Sequence, residues 1–383
     1  MHIEDIKKAV GQRILGPVCL CILCGILYAA LNPFDPHPAD EVSWSASPRG
    51  LRFGDYGMIR SSGALHWRSP QGRRACSLEI WLQPRLMQDT NTFLAFYTPE
   101  FSIPFSVHQW TENIVLVRET RDQQNRSKSE KMSVAHVFRR DRPSLITITS
   151  DTWQTSLYVD GTLADTSPNL HLSSADLTGQ LEFGNSPVAN DSWAGLLRGL
   201  ALYEQQLTAS QVLDHYQGWT REGQPVSGEQ AGVVALYLFR ERKGKLIYNE
   251  IPSGPNLYVP EHYAFHGQPL LAPPWKEFSL SSGYAKNVLI NIAGFIPFGF
   301  FFCAYFSVKR RILRPALTSI LLGGAISLTI EILQSYLPMR DSGMTDVITN
   351  TLGTALGVRM YGWRTAQVLM AEAGIPVPAK RKE

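Results

Sequence analysis

The stretch Ile14 to Leu31, ILGPVCLCILCGILYAAL, carries no charge and constrains this chain more than any other feature. Its length approaches the roughly 20 apolar residues that a helix needs to cross a bilayer. Lys7, Lys8 and Arg13 precede it. A cleaved secretory signal has the same outline, with Ala29-Ala30 as a peptidase site, so this segment is read as a span or a signal. Three further apolar segments lie near the C-terminus: Val288–Phe306, Pro315–Leu337 and the weaker Val347–Trp363.

Basic residues orient these segments, because Lys and Arg loops stay cytoplasmic. Lys309, Arg310, Arg311 and Arg314 separate the second and third segments, and Arg364, Lys380, Arg381 and Lys382 follow the last. The N-tail, that loop and the C-tail are then expected inside. The Pro338–Thr345 loop and the long stretch Asn32–Gly283 are expected outside. A wholly embedded transporter is excluded by a mean hydropathy of −0.10. With 44% hydrophobic residues in 383, the chain also has ample apolar material to fold. A net charge of +3 makes no case for nucleic acid. Five cysteines exclude a disulfide scaffold. Cys19, Cys21, Cys24 and Cys303 fall in spans, which leaves Cys76 in the exported part as a small buried hydrophobe.

The exported stretch changes period. Short alternating runs appear at Cys76–Leu82, Phe93–Tyr97, Asn113–Arg118, Leu145–Thr149, Thr155–Val159, Gln180–Phe183, Leu196–Tyr203 and Val233–Phe239. Asp160-Gly161 is a hairpin turn signal. Such strands predict an all-β sandwich or barrel. Thr208 is expected to cap a short helix to Tyr216, and Arg118–Lys131 to form an exposed hairpin or loop. Six prolines between Leu246 and Trp275 predict an extended strap. Ser77-Leu-Glu-Ile-Trp-Leu-Gln-Pro84 resembles the early strand of laminin-G-like, or concanavalin-A-like, jelly rolls. Trp153 with Leu157-Tyr-Val-Asp-Gly-Thr162, Gly179–Gly184, Trp193–Tyr203 and Leu207-Thr-Ala-Ser-Gln211 resemble later pieces in order. The resemblance implies a fold and not an activity. Asp160, Asn190 and Asp191 are metal or sugar candidates that a turn or loop role explains equally well. Trp67, Trp81, Trp110, Trp153 and Trp193 can stack on sugars or pack the sheets.

The sharpest signal is polar. Glu331 and Gln334 share a face near the outer end of the third apolar segment. Arg340 follows in the short outer loop; Asp346 and Asn350 open the fourth segment, and Asn287 and Asn291 the second. Ionisable residues inside spans are expensive and mark function or packing. Gly353 and Gly357 form a GxxxG spacing that permits close helix approach or self-association. Pro297 is expected to kink the second span.

These residues also resemble a known family. Asn291-Ile-Ala-Gly-Phe-Ile-Pro-Phe-Gly299, Glu331-Ile-Leu-Gln334, Pro338-Met-Arg340, and Asp346-Val-Ile-Thr-Asn350-Thr-Leu-Gly353 with Gly357 are similar to VanZ-like proteins. Ala30-Leu-Asn-Pro-Phe34 is similar to the end of the family's first span, with Ala for Thr, which supports a retained span. The expected class is therefore mixed: an exported jelly-roll sandwich and an α-helical bundle of four spans. The expected boundaries are 1–13 cytoplasmic tail, 14–31 span, 43–245 sandwich, 246–284 strap, 285–363 bundle and 364–383 cytoplasmic tail. The resemblance implies a multi-pass protein of a bacterial inner membrane with a cell-envelope role. The family is named for a protein associated with low-level glycopeptide resistance, and the name implies no reaction.

Asn287, Asn291, Glu331, Gln334, Arg340, Asp346 and Asn350 are the candidate ligand-binding residues. Membrane lipids, a lipid-linked cell-wall intermediate or glycan, and envelope proteins are the expected partners; no cofactor or metal is expected. Arg340 and the two helix N-termini suit an anion such as a lipid phosphate. One alternative is structural, with Glu331 pairing Arg340, Asp346 capping the fourth helix and the jelly roll recruiting partners. Another is an enzyme using Glu331 and Asp346 as acid and base.

Overall fold

The computed structural model describes residues 3–65, 67, 75–87, 90–100, 102–121, 127–226, 232–267, 270–278, 282–308 and 312–372. Contacts divide the chain into a unit of Met1–Pro36 with Gln268–Glu383 and a unit of His37–Gly267. The first begins with helix α1 (Ile3–Leu31).

Among its described residues the second unit is all β but for one helix. Its strands are β1 (Ser43–Ala46), β2 (Arg49–Phe53), β3 (Ile59–Leu65), β4 (Cys76–Pro84), β5 (Thr90–Thr98), β6 (Ser102–Trp110), β7 (Asn113–Arg121) and β8 (Ser127–Val134). Then come β9 (Ser144–Ser150), β10 (Thr155–Val159), β11 (Thr162–Ser167), β12 (Gly179–Phe183) and β13 (Gly195–Tyr203). Helix α2 (Ala209–Glu222), β14 (Val233–Tyr237), β15 (Leu246–Ile247) and β16 (Leu257–Tyr258) complete it. One sheet runs β1-β2-β13-β4-β9-β10-β11, with β14 also on β13; the other runs β15-β16-β3-β12-β5-β6-β7-β8. Every ladder between these strands is antiparallel, as in a jelly roll. β15 and β16 lie inside the expected strap; two-residue strands at a sheet edge tolerate the flanking prolines.

Alternation supplies the core between the sheets. Leu78, Ile80 and Leu82 of β4 face Phe93, Phe183 and Trp193 in one buried cluster. The opposite face of β4 is buried too, because α2 covers it. Trp81, Tyr203, Val212 and Trp219 pack there as a second cluster. Thr208 caps α2 in a full capping box, and the helix runs past Tyr216 to Glu222, where Gly223 at φ 71° ends it. Cys76 is buried in the main core, and burial raises its thiol pKa.

Beneath α2, the buried Glu79 carboxylate takes three donors: His215 Nδ1 at 2.9 Å, Tyr203 Oη at 2.8 Å and Trp219 Nε1 at 2.9 Å. Burial, then Glu79, pushes the Tyr203 phenol well above its ordinary value.

The other unit continues with α3 (Pro274–Glu277), α4 (Ser282–Val308), α5 (Pro315–Gln334), α6 (Met344–Tyr361) and α7 (Arg364–Glu372). Among the described residues, three helices are long and apolar enough to cross a membrane: Ile14–Leu31, Gly283–Val308 and Pro315–Gln334. α6, expected as a fourth span, falls short by composition. Its polar and small residues Thr345, Thr349, Asn350, Gly353, Thr354 and Gly357 are buried against the neighbouring helices, so its apolar surface is reduced to the remaining face. The GxxxG pair is used within the chain: a Cβ on Gly353 would meet the Ile292 carbonyl, and one on Gly357 the Ile296 carbonyl. α4 remains one continuous helix through Pro297. α7 occupies part of the expected C-terminal tail. Lys309–Arg311 and Lys380–Lys382 lie outside the described residues.

Candidate functional site

The seven polar residues singled out in the sequence line one cavity of about 340 Å³. Asn287 and Asn291 stand on successive turns of α4; Glu331 and Gln334 end α5; Asp346 and Asn350 open α6. Arg340 comes from the α5–α6 connection. Apolar residues complete the lining: Ile26, Ala29 and Ala30 of α1 with Ile290, Gly294 and Phe295 of α4.

Helix ends explain much of this convergence, since each leaves backbone groups without intrahelical partners. At the C-terminus of α1, Gln334 Nε2 donates to the Ala30 carbonyl at 2.9 Å, and Arg340 donates to the Asn32 carbonyl. A guanidinium there also suits the negative end of the helix dipole. At the N-terminus of α6 the capping residue is Gly343, which has no side chain to offer. Glu331 Oε2 accepts the Gly343 N–H at 2.8 Å instead. Glu277 Oε2 accepts the Thr345 N–H at 3.0 Å and its hydroxyl at 2.6 Å. The capping role expected of Asp346 therefore belongs to two carboxylates from other elements, and Glu277 had no sequence signal beyond its place after Pro274-Trp275-Lys276. Asp346 lies beside Asn291 instead.

The chain just before α3 is held to the start of α6 by the backbone as well. Ala272 N donates to the Ser342 carbonyl at 2.9 Å, and Met344 N to the Ala272 carbonyl at 2.9 Å. A second cavity of about 350 Å³ opens here, lined by Glu277, Asp341, Asn287 and Asp346 among others. Asn287 and Asp346 belong to both cavities.

Two buried amide oxygens of these residues have no partner. Asn350 Nδ2 donates to Ser327 Oγ at 2.9 Å, while Asn350 Oδ1 meets no donor. Gln334 Oε1 is likewise unmatched. These residues are 5% and 8% exposed, so bulk water does not satisfy them. Among the described residues no group of three or more His, Cys, Asp or Glu side chains is disposed to hold a metal ion.

In the sandwich, the other sequence candidates have structural partners. Asp160 sits in its hairpin turn at φ 50°, and its carboxylate accepts the Leu145 N–H at 2.8 Å. Asp191 accepts the Thr92 hydroxyl, and Asn190 accepts the Tyr263 hydroxyl at 2.9 Å. Trp81 and Trp193 are buried, and Trp67 is partly buried against the main core. Trp110 and Trp153 are exposed, the latter at 79%.

Residues 233–365 match the family model VanZ/LLP1, and residues 62–213 match the concanavalin A-like lectin/glucanases superfamily. Protein VanZ of Enterococcus faecium is 35% identical over 82 residues, which are 21% of this chain and 48% of that protein. The chain thus spans about half the length of this curated relative. A candidate carbohydrate binding protein from Bacteroides ovatus is 12% identical over 54% of this chain and 60% of its own, with a TM-score of 0.38. A SAP-like pentraxin from Limulus polyphemus is 14% identical over 60% of this chain and 99% of its own, with a TM-score of 0.37. The chain carries a VanZ-like membrane region and a concanavalin A-like domain.

Proposed function

From a VanZ-like bundle joined to a concanavalin A-like sandwich, we propose a membrane protein of the cell envelope that binds a lipid-linked ligand by its head group. The observation that carries this reading is the single cavity lined by Asn287, Asn291, Glu331, Gln334, Arg340, Asp346 and Asn350. Arg340 supplies the phosphate contact, since a guanidinium can grip phosphate through two hydrogen bonds. The amides take the hydroxyl and amide groups of the rest of the head group. The apolar lining from α1 and α4 suits the start of a lipid chain.

Native mass spectrometry of the detergent-purified protein tests this. The wild type should retain a lipid phosphate. Arg340→Ala should lose most of it while the bundle stays folded. Gly294 offers an independent probe, because a Cβ there meets nothing within 4 Å and the residue lines the cavity. Gly294→Leu should fill the space and expel the lipid while the bundle stays folded. Equal retention in all three proteins would sink the reading.

The sandwich, in this proposal, holds the attached glycan or a neighbouring envelope protein, and the exposed Trp110 and Trp153 are its stacking surfaces. The cavity belongs to the outer leaflet, α6 serves as the fourth span, and both tails lie inside, as the basic loops require. An epitope inserted after Gly244 should be reached by antibody when the outer envelope is opened and the inner membrane intact. Labelling only after that membrane is permeabilised would reverse the orientation.

A further inference from the structure

Two large apolar side chains stand exposed just before α4: Trp275 at 79% and Phe278 at 63%. Their segment is fixed in place. Ala272 exchanges backbone hydrogen bonds with Ser342 and Met344, and Glu277 accepts the N–H and the hydroxyl of Thr345. Trp275 and Phe278 lie three residues apart in one helical turn and so share a face, while Glu277 turns toward α6. Phe278 also meets the Tyr284 ring of α4, with centroids 5.7 Å apart. The fold therefore presents these rings outward from a pinned backbone.

Continuity with the spans identifies what covers them. The C-termini of α1 and α5 and the N-termini of α4 and α6 meet at one end of the bundle, around the polar cavity. Two further exposed rings stand at that end, Phe34 at 69% just past α1 and Tyr336 at 71% just past α5. At the opposite end Trp363, 55% exposed, follows α6. α5 has 20 residues and rises about 30 Å, the thickness of a bilayer's hydrocarbon core. These rings thus stand at the two levels where the core meets the head groups, the level at which Trp and Tyr are favoured. Lys286, exposed in the first turns of α4, suits the lipid phosphates at the same level.

We propose that Trp275 and Phe278 anchor the chain before α4 in the lipid head-group region, at the cavity end of the bundle. Trp275 spans both environments, with an apolar body and a polar N–H, and Phe278 reaches the first carbons of the acyl chains. The inference needs only the spans and stands whether or not the cavity holds a lipid. The anchor also sets the depth of the second cavity, because Ala272 and Glu277 line it.

Tryptophan fluorescence of the full-length protein in lipid nanodiscs tests this. Subtracting the Trp275→Phe spectrum from the wild type isolates Trp275. Trp153→Phe isolates Trp153 in the same way, a ring equally exposed at 79% but carried by the sandwich. Phosphatidylcholine brominated near the head-group end of its acyl chains should remove most of the Trp275 emission, and aqueous iodide little of it. Trp153 should behave in reverse. Phe278→Trp, placed on the Trp275→Phe protein, carries the same readout to the neighbouring position and should match Trp275. Quenching of Trp275 by iodide as strong as that of Trp153, with none by the brominated lipid, would put the segment in water and overturn the anchor. Quenching by neither would mean that protein covers the rings, and would overturn it too. Stronger quenching by bromine at the chain ends than near the head groups would place Trp275 in the hydrocarbon core, and the interfacial assignment would fall.

Discussion

Leucine in place of Gly357 is expected to abolish the folded bundle. A Cβ at this position would run into the Ile296 carbonyl and come within 2.8 Å of the Phe300 backbone nitrogen. One turn earlier, Gly353 stands in the same relation to the Ile292 carbonyl. From the other side, Gly299 of α4 meets the Thr354 carbonyl. Backbone faces backbone along this seam, so no flexible side chain can give way. Overpacking a core costs about 1–3 kcal/mol where neighbours adjust. Here α4 and α6 must separate, and the loss should exceed that range. Separation would also draw Asp346 and Asn350 away from Asn287 and Asn291, so the cavity should disappear with the fold. Size-exclusion profiles and thermal melts in detergent measure the first effect, and lipid retention the second. Gly25 on α1 is the control, since a Cβ there meets nothing within 4 Å. Gly25→Leu should melt with the wild type. A Gly357→Leu protein with wild-type melting would mean that α4 and α6 do not pack as described.

The same seam shows what the sequence could and could not reveal. Apolar runs disclosed α1, α4 and α5, because a membrane-crossing helix must be apolar over most of its surface. α6 was legible as a segment but its environment was not, since its Thr, Asn and Gly residues turn toward other helices. The GxxxG spacing announced close packing without naming the partner. All seven polar candidates were visible, because charged and amide residues are conspicuous in apolar surroundings. Glu277 was not, because it lies in a proline-rich segment without periodicity and matters only through the distant Thr345 that it caps. In the sandwich, alternation exposed β4, β9, β10 and β13. It missed β3, broken by Ser61-Ser62-Gly63, and β6, interrupted by Pro104. It also missed β16, which is too short to show a period and exists only through its pairing with β3.

Glu79 marks the limit of alternation, and its substitution should have the largest effect in the sandwich. In Cys76-Ser-Leu-Glu-Ile-Trp-Leu82 the pattern assigns Leu78, Ile80 and Leu82 to the core and Glu79 to solvent. The core face is as read, yet Glu79 is fully buried because α2 closes over it. Its carboxylate is the common acceptor for His215, Tyr203 and Trp219, two of them on α2 and one on β13. Glu79→Ala leaves three buried donors without this acceptor, and removing one partner from such an arrangement costs about 3–5 kcal/mol. Glu79→Gln keeps the shape but replaces one acceptor oxygen with an amide that only donates, so it should also destabilise, by less. Thermal unfolding should shift down strongly for alanine and moderately for glutamine. Hydrogen exchange should show α2 losing protection, since those bonds join it to the sheet. Lipid retention at the polar cavity should be unchanged, because every lining residue lies in the other unit. Wild-type stability in both variants would mean that apolar contacts such as Trp81 with Trp219, centroids 6.1 Å apart, hold α2 down unaided. A graded loss would show that a buried carboxylate, chosen against the alternation of its own strand, fixes where the helix docks.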